Sequence, residues 1–543
     1  MGIESLPDQL VDDLGAPEAY PDDPTASLGV ETLQTHISHL FLTRARVVKL
    51  RKAVKLSFLD FSTRADRIAD CHHEVALNRR LAPDVYLGVA PVQRVAGHFE
   101  VRERWESAPD SLAELPESVV VMRRLETGRD ALTLLQRGAL LAHHMDVVAE
   151  LLAGFHDRVG LGCPSPWEPD AWWEHCFRPA ADTLATLQET QSSCVSGDAI
   201  EALWTATRDR FEELRPALEQ RRREGRAVDG HGDVHLQHIW FEQGAPGPVV
   251  IDCLEFDPRL RRVDVASEVA FLAMDLLYRG RSDLAARFLR KYATARDDFG
   301  LFRIVDAYQS YRAAVRGKVA AIATTDARIP QPQRTSAQES ARRHLALATK
   351  LIRGHKTGTL VLVCGTVGVG KSTVAETLAD RTGGVVVSSD RTRKRIEGIE
   401  ATDHGDHAPD SGLYTPEKTD AVYRALLDRA EPVVASGRIA ILDATFGRRV
   451  HRDQAQAWAA RHKVNALLVE VRCPEDVVRE RVGRRAERGS DPSDAGPEFV
   501  AISRSRFEAP TEWQSADRYE TRTDREALED SLLPLVTRLA SAS

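Results

Sequence analysis

The stretch Gly358-Thr359-Leu360-Val361-Leu362-Val363-Cys364-Gly365-Thr366-Val367-Gly368-Val369-Gly370-Lys371-Ser372-Thr373 runs an apolar strand directly into the pattern G-x-x-x-x-G-K-S. Its glycines let the backbone wrap around an anion, so that main-chain N–H groups of Gly365, Thr366, Val367, Gly368, Val369 and Gly370 point inward at phosphate oxygens. Lys371 is spaced to reach the β and γ phosphates of a nucleoside triphosphate, and Ser372 to hold Mg²⁺ through its hydroxyl. A helix from Thr373 to Leu378 then aims its positive end at the same charge. A glycine-rich turn with a stray lysine lacks this strand-before, helix-after context.

Downstream, strands alternate with helices. Gly384 to Ser388 is an apolar run leading to Asp390, followed by Arg391-Thr392-Arg393-Lys394-Arg395. A segment rich in His, Asp and Gly, from Glu400 to Leu413, reads as a mobile loop. Ile439 to Asp443 and Ala466 to Val471 are further strands, and this rhythm predicts a parallel sheet with its ligand at the strand C-termini. Asp390 and Asp443 both fall at such ends, where a carboxylate can take a hydroxyl proton or hold Mg²⁺ through water. Arg479, Arg481, Arg484 and Arg485 recur at helical spacing, so an arginine can close over a transferring phosphoryl group.

Residues 356 to 543 resemble the small P-loop kinases: gluconate kinase, chloramphenicol phosphotransferase, the zeta-toxin type and the polynucleotide 5′-kinase domain. The resemblance implies transfer of the ATP γ-phosphate to a hydroxyl, with Asp390 as base, Arg391 and Arg393 on the substrate side and Arg481 with Arg484 as lid arginines. Lys371, Ser372 and Thr373 complete the nucleotide site, and Asp443 stands where a metal-binding acid is often found.

Upstream, composition bounds the answer. A chain of 543 residues exceeds a single core, and the net charge of −8 does not describe a nucleic-acid binder. Seven scattered cysteines form no C-x-x-C pair and read as reduced thiols of a cytoplasmic protein. The first 43 residues hold eight acids and no Lys or Arg, the opposite of a basic secretory start. No apolar run approaches the ~20 residues that span a bilayer.

Residues 1 to 30 read as a lead-in with a short helix. Val47 to Leu56 alternates as a strand whose basic face is solvated or reaches phosphate, and Ser62 to Leu81 is helical, with Glu74 either exposed or orienting a lysine. Strands follow at Tyr86–Val92 and Val119–Leu125, then amphipathic helices at Leu140–Val159, Trp167–Thr190 and Asp198–Arg223. A small mixed lobe thus precedes a helical one. His143, His144 and His156 read as a solvated pair and a packed ring.

The second informative stretch is Gly230-His231-Gly232-Asp233-Val234-His235-Leu236-Gln237-His238, followed by Val249-Val250-Ile251-Asp252. Two aspartates at turns suit phosphoryl transfer, one to orient a hydroxyl and one to hold a metal; the plain alternative is a pair of turn caps. H-G-D with a second aspartate resembles the aminoglycoside phosphotransferase family, relatives of protein kinases. It implies an α+β, two-lobed kinase-like fold, with Asp233 as catalytic base, Asp252 on metal, and Lys49 with Glu74 as nucleotide lysine and partner. Two departures stand out. His238 occupies the position of a metal-binding Asn, and Glu31 to Arg46 contains no glycine-rich loop.

Asp264 reads as a helix cap, and Tyr308, Arg312 and Arg316 share a face of a helix over Ile304–Ala323 that is solvated or lines an anionic site. Residues 324 to 338 read as a Pro-containing connector, with a helix from Glu339 to Arg353. The expected organisation is a lead-in (1–30), a kinase-like domain (31–323), a linker with a helix (324–355) and an α/β P-loop domain (356–543). As a whole the chain resembles bacterial bifunctional aminoglycoside phosphotransferase/ATP-binding proteins. The resemblance implies an ATP- and Mg²⁺-dependent kinase acting on a small hydroxyl compound. Its rivals are a P-loop enzyme regulated by an effector-binding pseudokinase half, and a polynucleotide- or toxin-like kinase.

Overall fold

The computed structural model describes residues 3–56, 59–102, 117–190, 195–354, 357–399, 412–488, 497–524 and 528–542. It divides into two compact units, the first made of residues 1–167 and 222–272, the second of 168–221 and 273–543.

The first unit is built on a six-stranded antiparallel sheet in the spatial order Glu31–Gln34, Ser38–Leu42, Arg46–Arg51, Glu117–Arg123, Tyr86–Val95, His98–Val101. One face is covered by the N-terminal segment. Leu10, Leu14, Ala19, Tyr20 and Ala26 are buried there with Phe41, Val48 and Leu50, so the lead-in is packed core rather than a loose start. The other face receives the helix Arg64–Asn78, capped by the Thr63 hydroxyl, through Cys71 and Val75 against Val89 and Val120. Where a glycine-rich loop was missing, the turn between Ser38–Leu42 and Arg46–Arg51 is held by side chains. The Thr43 hydroxyl donates to buried Asp23 at 2.6 Å, and the Ala45 N–H donates to the Thr25 hydroxyl.

Behind the sheet, residues 227–264 form a loop region pinned by two short antiparallel pairs, Ile239–Trp240 with Val249–Val250 and Ala227–Asp229 with Arg262–Asp264. Asp264 caps the helix Val265–Tyr278 by accepting from the Ala266 N–H at 2.8 Å.

In the second unit five parallel strands lie in the order Val385–Ser388, Ile439–Asp443, Thr359–Cys364, Asn465–Arg472, Arg518–Arg522. The central strand, Thr359–Cys364, is buried at every position, which accounts for its uninterrupted apolar run. The parallel sheet expected from the βα rhythm is therefore present. The helices Pro169–Glu189, Ser282–Arg296 and Val305–Thr325 belong to the same compact unit.

Two expectations are corrected here. The helix following the connector starts at Gln331, not Glu339, because Pro332 sits in the first turn, where its missing N–H has no intrahelical partner to lose. That helix lies along Val305–Thr325 so closely that a Cβ on Gly317 would come 2.9 Å from Leu345 Cγ. Tyr308 and Arg312 are buried in this packing rather than solvated, with Tyr308 edge-on to Phe211. Residues 400–411, most of the loop expected between Glu400 and Leu413, lie outside the described residues. No described helix is long and apolar enough to cross a membrane.

Candidate functional site

In the first unit Lys49 and Arg51 project from one face of the strand Arg46–Arg51, two residues apart. That face is buried, not solvated. Lys49 Nζ lies 2.8 Å from Glu74 Oε1, and Arg51 Nη2 donates to Glu74 at 2.6 Å and Glu255 at 2.8 Å, with the Asp70 carboxylate in ion-pair contact at 2.5 Å. Glu74 is itself buried against Lys49 and is not an exposed helix residue. Burial alone would lower the Lys49 ammonium, but Glu74 and Asp252 outweigh it and hold the group charged above the usual lysine range.

The loop carrying Asp233 is fixed from below. Glu268 accepts from the N–H groups of His231 (2.5 Å) and Gly232 (3.0 Å), and a Cβ on Gly230 would meet its carboxylate at 2.9 Å. His231 accepts the Asp233 N–H on Nδ1, so its Nε2 carries the proton toward the Ile251 carbonyl at 2.9 Å. Burial first, then the nearby His238, push the His231 imidazole down to about 3, which keeps it neutral in this role.

Asp252 adopts φ +62°, a strained conformation for a non-glycine residue. It is over-determined by its neighbours. The Asp252 N–H donates to the Tyr86 hydroxyl and the Cys253 N–H to Asn78 Oδ1. The carboxylate so presented lies between two bases, Oδ1 at 3.7 Å from Lys49 Nζ and Oδ2 at 3.4 Å from His238 Nε2. Burial would raise this carboxyl, yet the charges around it, Lys49 foremost, hold it at about 2. A cavity of about 920 Å³ opens beside the group, walled by Leu40, Val47, Val85, Met122, Trp240 and Ile251. Its apolar walls and charged end suit a flat base with an anionic tail. Lys49, Glu74, Asp233 and Asp252 are thus brought together at one cavity. Glu268, Asn78, Tyr86 and His231, which hold the loops, were not singled out from sequence.

In the second unit the loop 365–370 bends where only glycine fits: Gly365 has φ +155°, and a Cβ there would lie 2.6 Å from the Val471 carbonyl. Gly370, at φ +90°, opens the helix Lys371–Thr382. Lys371 Nζ donates to the Thr366 carbonyl at 2.9 Å, and the Val367 N–H to the Ser503 hydroxyl. Asp443, the last residue of its strand, accepts from the Ser372 hydroxyl. Burial pushes the Asp443 carboxyl up to about 6 against the pull of Lys371 and Ser372, and Asp390 adds to the rise.

Asp390 lies in the first turn of the helix Ser389–Ile396, not at a strand end, because the Ser388 hydroxyl caps that helix on the Arg391 N–H. Arg391 is exposed. Arg393 is buried, donating to the Leu413 carbonyl at 2.8 Å with its guanidinium 4.6 Å from the Tyr414 ring centroid. Arg481 donates to the Thr523 hydroxyl (2.8 Å) and carbonyl (2.6 Å), whereas Arg484 pairs with Glu480 on the helix surface.

The donor chemistry separates the two sites. Ser372 and Asp443 offer oxygens, which suit Mg²⁺. In the first unit Asp252 offers oxygen but His238 offers nitrogen, which does not suit Mg²⁺.

The uncharacterized protein Rv2004c of Mycobacterium tuberculosis (strain ATCC 25618 / H37Rv) is 33% identical over 519 residues, covering 94% of this chain and 96% of the relative. The chain belongs to that family. The family's match runs through both units, and residues 360–510 match the model of the AAA domain described as AAA_33. Solved structures are similar over parts of the chain. A gluconokinase from Sinorhizobium meliloti 1021 covers 34% of this chain and is covered over 95% of its own, at 20% identity and a TM-score of 0.25. The Plasmodium vivax ethanolamine kinase covers 61%, with 84% of its own chain matched, at 10% identity and a TM-score of 0.36.

Proposed function

We propose that the chain is an ATP-dependent phosphotransferase that moves the γ-phosphate to a hydroxyl of a small molecule at its P-loop domain. We propose a second, kinase-like nucleotide site in the first unit. The observation that carries this reading is the meeting of Lys371, Ser372 and Asp443 at the C-terminal edge of the parallel sheet, with Asp390 just beyond the neighbouring strand Val385–Ser388.

Main-chain N–H groups of residues 365–370 and the Lys371 ammonium bind phosphate oxygens. Ser372 and Asp443 would hold Mg²⁺, which when bound offsets phosphate charge. Asp390 accepts the proton of the attacking hydroxyl, and Arg391 orients the acceptor. Arg481 and Arg484 offset charge on the transferring group. In the first unit Lys49, oriented by Glu74, binds phosphate, and Asp233 takes the proton of a second acceptor.

The test is ADP release against pooled hydroxyl metabolites and aminoglycosides, comparing wild type with Lys371→Ala and Asp233→Ala. Acceptor-stimulated release that Lys371→Ala abolishes supports the P-loop assignment, and a different acceptor lost on Asp233→Ala supports the second site. Nucleotide binding without stimulation by any acceptor would sink the phosphotransfer reading.

A further inference from the structure

We infer that His238 and Asp252 form a binding site for a first-row transition-metal dication, of the Mn²⁺ or Co²⁺ class, at the charged end of the cavity in the first unit. The inference deepens the kinase-like reading only in that nucleotide phosphates would complete the coordination; the protein donors stand without it.

The proton assignment comes first. His238 Nδ1 lies 3.0 Å from the Asp233 carbonyl oxygen. A carbonyl only accepts, so a hydrogen resides on Nδ1, and whenever the ring carries one proton its lone pair is on Nε2. This is how a metal-binding imidazole is ordinarily set, one nitrogen donating to a backbone carbonyl and the other turned to the ion.

What Nε2 faces is another acceptor. Asp252 Oδ2 stands 3.4 Å away, and no hydrogen is available between the two atoms when the ring is neutral. Lys49 lies on the opposite oxygen, Oδ1, and so leaves Oδ2 to a second cation. Two donors each about 2.1 Å from a common ion lie roughly 3.0–3.4 Å apart for angles between octahedral and tetrahedral. The observed separation falls at the edge of that window without any movement.

The backbone holds this pair in place. Asp252 keeps its left-handed φ of +62° through the Tyr86 and Asn78 hydrogen bonds, and His238 is tied to the Asp233 carbonyl. Asp233 Oδ2 lies 3.5 Å from His238 Nδ1, close enough to feel the ion's charge through the ring. A mixed nitrogen and oxygen donor set selects against Mg²⁺, which demands oxygen, and toward first-row dications that accept an imidazole beside carboxylate and phosphate oxygens. The competing occupant of the gap is a proton, which would make an imidazolium–carboxylate pair.

The experiment uses the full chain carrying Lys371→Ala and Ser372→Ala, so that the P-loop contributes no metal, with Mn²⁺ and a non-hydrolysable ATP analogue. Electron spin-echo envelope modulation should show ¹⁴N coupling of a bound imidazole, and Mn²⁺ should bind at least about tenfold more tightly than Mg²⁺ in competition. His238→Asn should remove the coupling and weaken Mn²⁺ by roughly 10–100-fold, with nucleotide still bound. Absence of ¹⁴N coupling in this chain, a measurement that needs no substitution at His238, overturns the inference. So does a Mn²⁺ affinity unchanged by His238→Asn. Nitrogen coupling in this chain, together with a wild-type chain that phosphorylates no acceptor, would keep the metal site and discard the phosphotransfer reading.

Discussion

Lys49 and Glu74 meet at 2.8 Å on the buried side of the first unit's sheet, and Arg51 shares the same carboxylate from two residues away. The sharing makes the two cations unequal. Without Glu74, Arg51 keeps Asp70 and Glu255, whereas the nearest acid left to Lys49 among the described residues is Asp252 at 3.7 Å.

Glu74→Gln should therefore cost stability modestly, about 1–2 kcal/mol, below the roughly 3–5 kcal/mol of orphaning a buried charge. Arg51→Met should cost the larger amount, since Asp70, Glu74 and Glu255 would be left to repel one another. Glu74→Gln should still weaken nucleotide binding at the cavity, by roughly tenfold, because Lys49 turns toward Asp252. Calorimetric titration in a Lys371→Ala background and urea unfolding check both arms. Equal destabilisation by the two substitutions would contradict the unequal sharing.

His231 supplies a pH dependence. Its folded value, about 3, lies below the ordinary 6.5, so the unfolded chain takes up a proton that the folded loop refuses. The contribution to stability is complete above pH 6.5 and is lost as pH falls from there toward 3, with a slope of up to about 1.4 kcal/mol per unit. His344, pushed down to about 4 first by burial, acts with the same sign. In His231→Asn the urea midpoint should fall less steeply between pH 6.5 and 4.5, with part of the slope remaining through His344. An unchanged slope would remove His231 from the account.

Legibility in the sequence followed distance along the chain. Gly365 to Ser372 could be read because strand, loop and helix lie within about twenty-five residues and each has its own local reason. The side-chain types of Lys49, Glu74, Asp233 and Asp252 were readable, but their burial was not, since it is set by pairing of Arg46–Arg51 with Glu117–Arg123 far along the chain. Glu268 escaped notice because it acts on His231 and Gly232 from a helix over thirty residues later. Pro332 fell within the stretch read as a connector, because position within a helix, not residue type, decides what proline does. Asp390 was placed at a strand end, one capping serine away from the helix it occupies.

Arg290 gives a prediction about the helix that carries Lys371. It is buried on the helix Ser282–Arg296 and donates to Asp380 at 2.6 Å and Glu376 at 3.2 Å, both on Lys371–Thr382, with Lys291 and Arg287 beside it. Those two carboxylates are more than 40% exposed, so they rehydrate when their partner goes. Arg290→Met should cost about 1–2 kcal/mol, less than a fully buried pair would. It should also make unfolding less sensitive to salt. Thermal scans at low and high ionic strength read both, and a salt response equal to that of wild type would count against the pairing.

Arg481 poses the sharpest choice, because its guanidinium is already engaged. It donates to the hydroxyl and carbonyl oxygens of Thr523, and the Thr523 hydroxyl donates to the Val369 carbonyl of the phosphate loop at 2.6 Å. A Cβ on Gly370 would meet Thr523 Cγ2 at 3.1 Å, so Thr523 packs directly on the turn that opens the helix Lys371–Thr382. Arg481 can thus act on the loop through Thr523 or directly on the transferring phosphoryl. Thr523→Val keeps the shape and removes the hydroxyl, so it should raise the KM for ATP a few-fold with kcat nearly unchanged. Arg481→Ala should raise KM similarly and also lower kcat by roughly 10²–10³, the loss expected for a group that stabilises transition-state charge. In the double variant the KM effects should not add, because both act through one contact, while the kcat loss should persist. If Arg481→Ala changed KM alone, the arginine would be a positioning residue for the loop, and the charge on the transferring group would have to be offset elsewhere.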